Sequence, residues 1–166
     1  MTFASLLKEK KGVSEKLKDE LGLLKKYKAL CLVKISDTNT VRELVTWLSI
    51  LPANFVIVWE WNSSSQNITY IDVVSEKNYK WFDCLLCDDC MDDMQTLIKS
   101  WVVPIINTWS HLDGILNEFN PVKNQWNAFI YDNICSWDMY YAVVRYLENY
   151  KFPFDNKNLV RNISEM

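Results

Sequence analysis

Glycine is scarce in this chain: three residues in 166, alongside four prolines and a single histidine, His111. Folds that grip phosphates use glycine to let backbone N–H groups close on the ligand, so a glycine-rich phosphate loop is excluded. With one histidine, any Ser–His–Asp or Cys–His set would have to pass through His111, which reads more simply as a loop or surface residue. No apolar run approaches a membrane span, and "MTFASLLKEKKGV" lacks the sustained apolar core of a signal peptide. The sequons at Asn62, Asn67 and Asn162 are then incidental. Five cysteines, an odd number, suit reduced thiols in a cytoplasmic or other reducing compartment.

What the chain does have is a core. Hydrophobic residues make up 49% and charged ones 23%, the balance of a folded domain rather than a disordered chain. Eight tryptophans are many for this length, and such rings are favoured where proteins meet partners. The net charge of −3 argues against bulk attraction to nucleic acid. Charge is uneven, however: residues 1–28 hold eight lysines against four acids, a local +4 that leaves −7 for the remainder. A solvated helix face accounts for that segment most simply, and a basic arm for an acidic partner is the alternative.

Along the chain, residues 3–11 predict a short amphipathic helix that Gly12 interrupts; Ser14 then caps "EKLKDEL", which Gly22 closes. Continuous or alternating apolar runs predict strands at 29–35, 54–61, 68–74, 82–87, 102–106 and 127–132. Helical spacing marks 40–51, stopped by Pro52, then a helix over 92–101 with acids in its first turn and a strong one over 136–150 capped by Ser136. The tail ends in a helix from Asp155. Strands alternating with helices at this spacing imply an α/β fold, a Rossmann-like three-layer sandwich with a mostly parallel sheet. The organisation expected is a basic helical segment over 1–14, one domain over 15–150 and a tail over 151–166. Trp59, Trp61 and Trp101 fall within these patterns and read as core.

"FDCLLCDDCMDD", 82–93, is the stretch that most looks like chemistry. Ferredoxin-type ligation of C-x-x-C-x-x-C needs a fourth cysteine where Met94 stands, and zinc would need a fourth ligand from distant Cys31, Cys135 or His111. Cys84 and Cys87 on one strand also point to opposite faces. The run "DDCMD" resembles the D-D-x-x-D of prenyl-diphosphate enzymes, but no second acidic motif accompanies it. The cysteines read as small core residues, and Asp88, Asp89, Asp92 and Asp93 as the charged start of a helix. No metal and no cofactor is expected.

Residues 102–133, "VVPIINTWSHLDGILNEFNPVKNQWNAFIYDN", carry a more specific pattern. Val103-Pro104-Ile105-Ile106, Thr108, Asp113, Phe119-Asn120-Pro121, Asn127 and Phe129, followed by "YAVVRYL", resemble in order the C-terminal domain of bacterial glycogen and plant starch synthases. These are GT-B glycosyltransferases. "KLKDELGL", "LVKIS", "FVIVWEW" and "FDCLLC" fit earlier pieces of the same domain, so the likeness covers most of 15–150 with scattered identities.

The resemblance implies a nucleotide-sugar site whose diphosphate is held by an arginine and a lysine, because the leaving group is anionic. Lys34 stands at the arginine's place and lacks its planar fork; Asn39 stands at the lysine's place, where the charge is gone. The family's double glycine is Trp109 and Ser110, followed by His111, and the glycines of its "G-N-G-F" are Trp126 and Ala128. Bulk at those positions blocks the close backbone approach a diphosphate requires. The loop "E-P-C-G-L" is shortened to the aspartate run, and the second Rossmann-like half that would supply the acceptor face has no counterpart in these residues.

Two functions follow as expectations. The first is a non-catalytic glycosyltransferase-like domain that works as a protein-interaction or assembly module, with Trp109 and Trp126 as candidate contacts for a protein partner, or as fillers of the emptied pocket. The second is a nucleotide-sugar-binding subunit completed by another chain, using Lys34, Asn39, Thr108, Ser110 and His111. A nucleic-acid partner, through the lysine-rich N-terminus, is disfavoured by net acidity.

Overall fold

Six short apolar runs become six parallel strands in the computed structural model, which describes residues 3–60, 65–89, 94–109, 115–120, 122–123 and 126–166. The strands are β1 (Leu30–Lys34), β2 (Asn54–Val58), β3 (Ile68–Ile71), β4 (Cys84–Cys87), β5 (Val103–Asn107) and β6 (Phe129–Tyr131). The helices are α1 (Phe3–Glu20), α2 (Thr38–Leu48), α3 (Met94–Ser100), α4 (Ser136–Tyr150) and α5 (Pro153–Ser164), with a 3-10 turn at Glu76–Trp81 that no pattern in the sequence announced. Strand order is β3-β2-β1-β4-β5-β6. Every pairing is parallel, so this is the doubly wound α/β sandwich anticipated above.

The interiors of β1, β2, β4 and β5 are apolar because both faces are covered. Cys31 and Val33 of β1 join a core with Val41, Leu44 and Leu48 of α2 and Ala142, Val143 and Tyr146 of α4. Leu30 and Leu32 point the other way, to Leu17 of α1, Phe82 and Leu97 of α3. Cys84 and Cys87 of β4 divide between the same two layers, as their three-residue spacing required. Pro104 sits inside β5 without penalty: Val103 N–H donates toward β4 at 3.0 Å, so the missing N–H of Pro104 faces the β6 side, where pairing begins only at Ile105.

Helix α1 corrects the expected break. It runs unbroken through Gly12, and Ser14 lies inside it with a buried hydroxyl rather than at a cap. Gly12 is exposed, and nothing lies within 4 Å of where a Cβ would stand. The sequence therefore tolerates a helix-interior glycine whose cost is about 1 kcal/mol. Gly12→Ala is expected to stabilise the protein by about 0.5–1 kcal/mol, read as a higher denaturant midpoint at unchanged slope. Gly22 does end the helix. At φ +66° it closes a Schellman motif, Leu23 N–H to Lys18 O at 2.8 Å and Gly22 N–H to Asp19 O at 3.2 Å.

Helix α1 also passes across the strand starts. Its first turn meets the ring of Trp101 and the guanidinium of Arg161 through Phe3, while Leu17 buries in the other layer. At α4 the cap position is Cys135, not Ser136, whose hydroxyl instead donates to Glu43 on α2. Helix α5 starts at Pro153, two residues before the expected Asp155.

Candidate functional site

Strand order reverses between β1 and β4, and in open α/β sheets the crevice beyond the strand ends at that point is where ligands bind. An anion there is held by free N–H groups at the start of the helix after the first strand. In this chain two of the N–H groups there, those of Ser36 and Thr40, are already engaged by carboxylates. Ser36, just past β1, donates its N–H to Asp88 Oδ2 at 2.8 Å and its hydroxyl to the same oxygen. Asp37 caps α2, accepting Thr40 N–H at 2.7 Å. Those hydrogen bonds hold the Asp37 carboxyl below its usual range, fixing it as an anion.

Asp88 therefore does something other than start a helix. Helix α3 begins at Met94, and Asp88 reaches across the crevice instead. The register that pairs Lys34 with Cys87 brings residue 36 beside residue 88. Neither Ser36 nor Asp37 was among the expected site residues, although a serine and an aspartate between an apolar strand and an amphipathic helix are a cap signature.

Lys34 lies half-buried at the end of β1, and Asn39 is exposed in the first turn of α2, so both flank this crevice. Thr108 follows β5, its hydroxyl 2.9 Å from Asp132 Oδ1 and 3.1 Å from the Tyr131 carbonyl. Asn107 ties the same strand ends, donating to Asp132 O at 3.1 Å and accepting Trp109 N–H at 2.9 Å. The Tyr131 hydroxyl donates to Cys87 O at 2.7 Å, and burial pushes its pKa up. Ser110, His111 and Asp113 lie outside the described residues, as do Trp61, Cys90, Asp92 and Asp93.

The two candidate tryptophans separate. Trp109 is 79% exposed at the end of β5. Trp126 is 2% exposed, its ring edge-on to Phe119 at 5.2 Å, and Phe119 stacks on Phe129 at 5.0 Å. Its contribution is packing. Around it Asn127 acts as a staple, accepting Asn117 N–H at 2.7 Å and donating to Ile115 O at 3.1 Å. Arg145 of α4 donates to Glu118 and to the Ile130 carbonyl, and Glu118 accepts Ile130 N–H, so the "YAVVRYL" arginine is spent locking this segment to β6.

Cys31, Cys84 and Cys135 are free thiols as anticipated; Cys87 departs from that expectation, being disulfide-bonded. Trp59 and Trp101 are half-buried and pack on the core, as expected of them. Among the described residues no helix is long and apolar enough to cross a membrane.

An all-parallel, doubly wound sheet with a single switch point is one of the two halves from which GT-B glycosyltransferases are built. The solved structures bear out that class. The catalytic domain of starch synthase IV from Arabidopsis thaliana, solved with ADP and acarbose, superposes with a TM-score of 0.75 at 14% identity over 95% of this chain and 39% of its own. The glycotransferase of kitacinnamycin superposes at 0.55 and 13% identity, over 87% of this chain and 42% of its own. This chain has the fold of a GT-B glycosyltransferase half, of the C-terminal kind, and spans about two-fifths of the length of those proteins. No family model matches the sequence, and no curated protein matches it.

Proposed function

We propose that this chain is a glycosyltransferase-like domain that no longer takes a nucleotide sugar and serves as a protein-interaction or assembly module. The observation that carries the proposal is the occupied switch point. A diphosphate would have to displace Asp88 from Ser36 and sit beside the capping carboxylate of Asp37. Like charges at such distances disfavour the anion, and Lys34 alone is a weak offset where the resemblance calls for an arginine and a lysine. Trp109, exposed beyond the same strand ends, is the side chain best placed to meet a partner.

Calorimetric titration with ADP-glucose and UDP-glucose tests this directly. No saturable heat is expected at micromolar strength. Saturable binding that Lys34→Ala abolishes would instead establish a nucleotide-sugar-binding subunit completed by another chain. On the interaction side, a stoichiometric partner should co-purify with the wild-type chain and be lost with Trp109→Ala while the thermal midpoint stays put. Retention of the partner by that variant removes Trp109 from the interface.

A further inference from the structure

At the opposite end of the sheet, where the strands begin, two cavities open side by side beneath α1. One, of about 580 Å³, lies between α1, the start of β4 and helices α4 and α5; the other, of about 790 Å³, continues it between the β1 and β2 entries and α5. They share a wall of Leu7, Lys28, Tyr150, Asn156 and Val160, so they form one groove.

The groove is strongly basic in an acidic protein. Lys10, Lys11, Lys25 and Lys28 line the first cavity against Glu15 and Asp83. Glu15 is already paired with Lys18 at 3.0 Å, and Lys25 with Asp19 at 2.7 Å. Lys26, Lys151 and Lys157 join Lys28 in the second cavity, whose lining includes no acid; Lys151 is held by Glu148. Burial draws Lys10 down to about 8 against the opposing pull of Asp83.

The two halves differ in character. In the first, the Ser14 hydroxyl and Asn156 Oδ1 are buried without a hydrogen-bond partner, and Ser14 as a whole is 4% exposed. A buried hydroxyl left unpaired in a pocket ringed by cations is a donor waiting for an acceptor. The second is walled by Tyr27, Pro52, Leu147 and Pro153, an apolar surface. We infer that this groove binds an organic phosphate, its monoester head among Lys28, Lys11 and Ser14 and its apolar, ring-bearing body between Tyr27, Leu147 and Pro153. Lysines serve phosphate as point charges, and an apolar body gains by leaving water. The site stands apart from the Trp109 face and from the switch point, so the two proposals succeed or fail separately.

The test uses 1-naphthyl phosphate as probe, with inorganic phosphate and 1-naphthol as its two halves, followed by calorimetry and by amide chemical shifts. Saturable binding of the whole probe is expected, about tenfold or more tighter than either half. Shifts should be confined to the groove's walls: α1, residues 23–29, the C-terminal end of α4, α5, and the chain beside Pro52 and Asp83. Lys28→Glu should weaken it about tenfold at an unchanged thermal midpoint, since Lys28 is exposed and its backbone carbonyl still receives Lys18 Nζ. Lys157→Glu, also exposed, should weaken it too, and Ser14→Ala by several-fold. Absence of saturation up to about 10 mM overturns the assignment. So does binding of the whole probe no tighter than 1-naphthol, or binding indifferent to both charge reversals.

Discussion

Trp126→Ala is expected to cost about 3–5 kcal/mol of folding stability, against a change within about 0.5 kcal/mol for Trp109→Ala. Both residues stand where the glycogen-synthase resemblance places glycine, yet they are physically unalike. Trp126 is 2% exposed, packed edge-on against Phe119, which in turn stacks on the buried Phe129. Truncation removes the largest ring of that stack and opens a void that β6 and the Glu118–Arg145 clamp would hold open rather than collapse. Trp126→Phe should restore most of the loss, because the indole Nε1 is buried without a partner and its removal forfeits no hydrogen bond. Urea titrations of the three variants decide the matter. A neutral Trp126→Ala would place that ring outside the core; a destabilising Trp109→Ala would undo its assignment to an exposed docking face.

Much of this fold could be read from the chain because parallel strands buried on both faces leave continuous apolar runs. The runs at 29–35, 54–61, 68–74, 82–87 and 127–132 each contain one observed strand, and β5 overruns the one at 102–106 by a single residue, Asn107. The ends were less legible. The run over 68–74 yields only Ile68–Ile71, because β3 is an edge strand and pairs with β2 over just those four residues. Gly12 misled for a different reason. Local propensity marks it as a break, but α1 is anchored at both ends, by Phe3 on Trp101 and by Leu17 in the core. Packing of that kind outweighs a single glycine.

The site was legible only where its residues neighbour each other in the chain. Lys34 and Thr108 do fall at strand ends and Asn39 in the first turn of α2, all on the switch-point side, because matching them to the family's motifs carried element boundaries with it. The carboxylate closure was hidden. Ser36 and Asp88 are 52 residues apart, and nothing local says that β1 and β4 will be neighbours with Lys34 opposite Cys87. Read locally, Asp88 is a helix start; only the register turns it into the lid of the crevice. The basic groove was hidden in the same way. Lys10 and Lys28 could be counted as an N-terminal charge excess, but Lys151 and Lys157 come from the far end of the chain.

Asn54→Asp is expected to cost about 3–5 kcal/mol at neutral pH, more than Asn54→Ala at about 2 kcal/mol. Asn54 is fully buried at the start of β2, and its amide holds the 23–29 loop. Nδ2 donates to Leu24 O at 2.9 Å and Tyr27 O at 3.1 Å, and Oδ1 accepts Leu24 N–H at 3.1 Å. Alanine loses these bonds, but Leu24 and Tyr27 are only half-buried and water can replace some of them. Aspartate puts a carboxylate oxygen against two carbonyl oxygens. A carboxyl so placed keeps its proton in the folded state, with a pKa raised above the unfolded value of about 3.9. Between those two values the native state binds more protons, so stability falls as pH rises. Asn54→Asp should therefore lie closest to wild type near pH 4 and drift away from it towards neutrality, while the deficit of Asn54→Ala stays flat with pH. The same loop carries Lys25, Lys26 and Lys28, so both variants should also loosen the phosphate groove before the sheet itself gives way. An aspartate tolerated at neutral pH would mean that the loop is held by something other than Asn54.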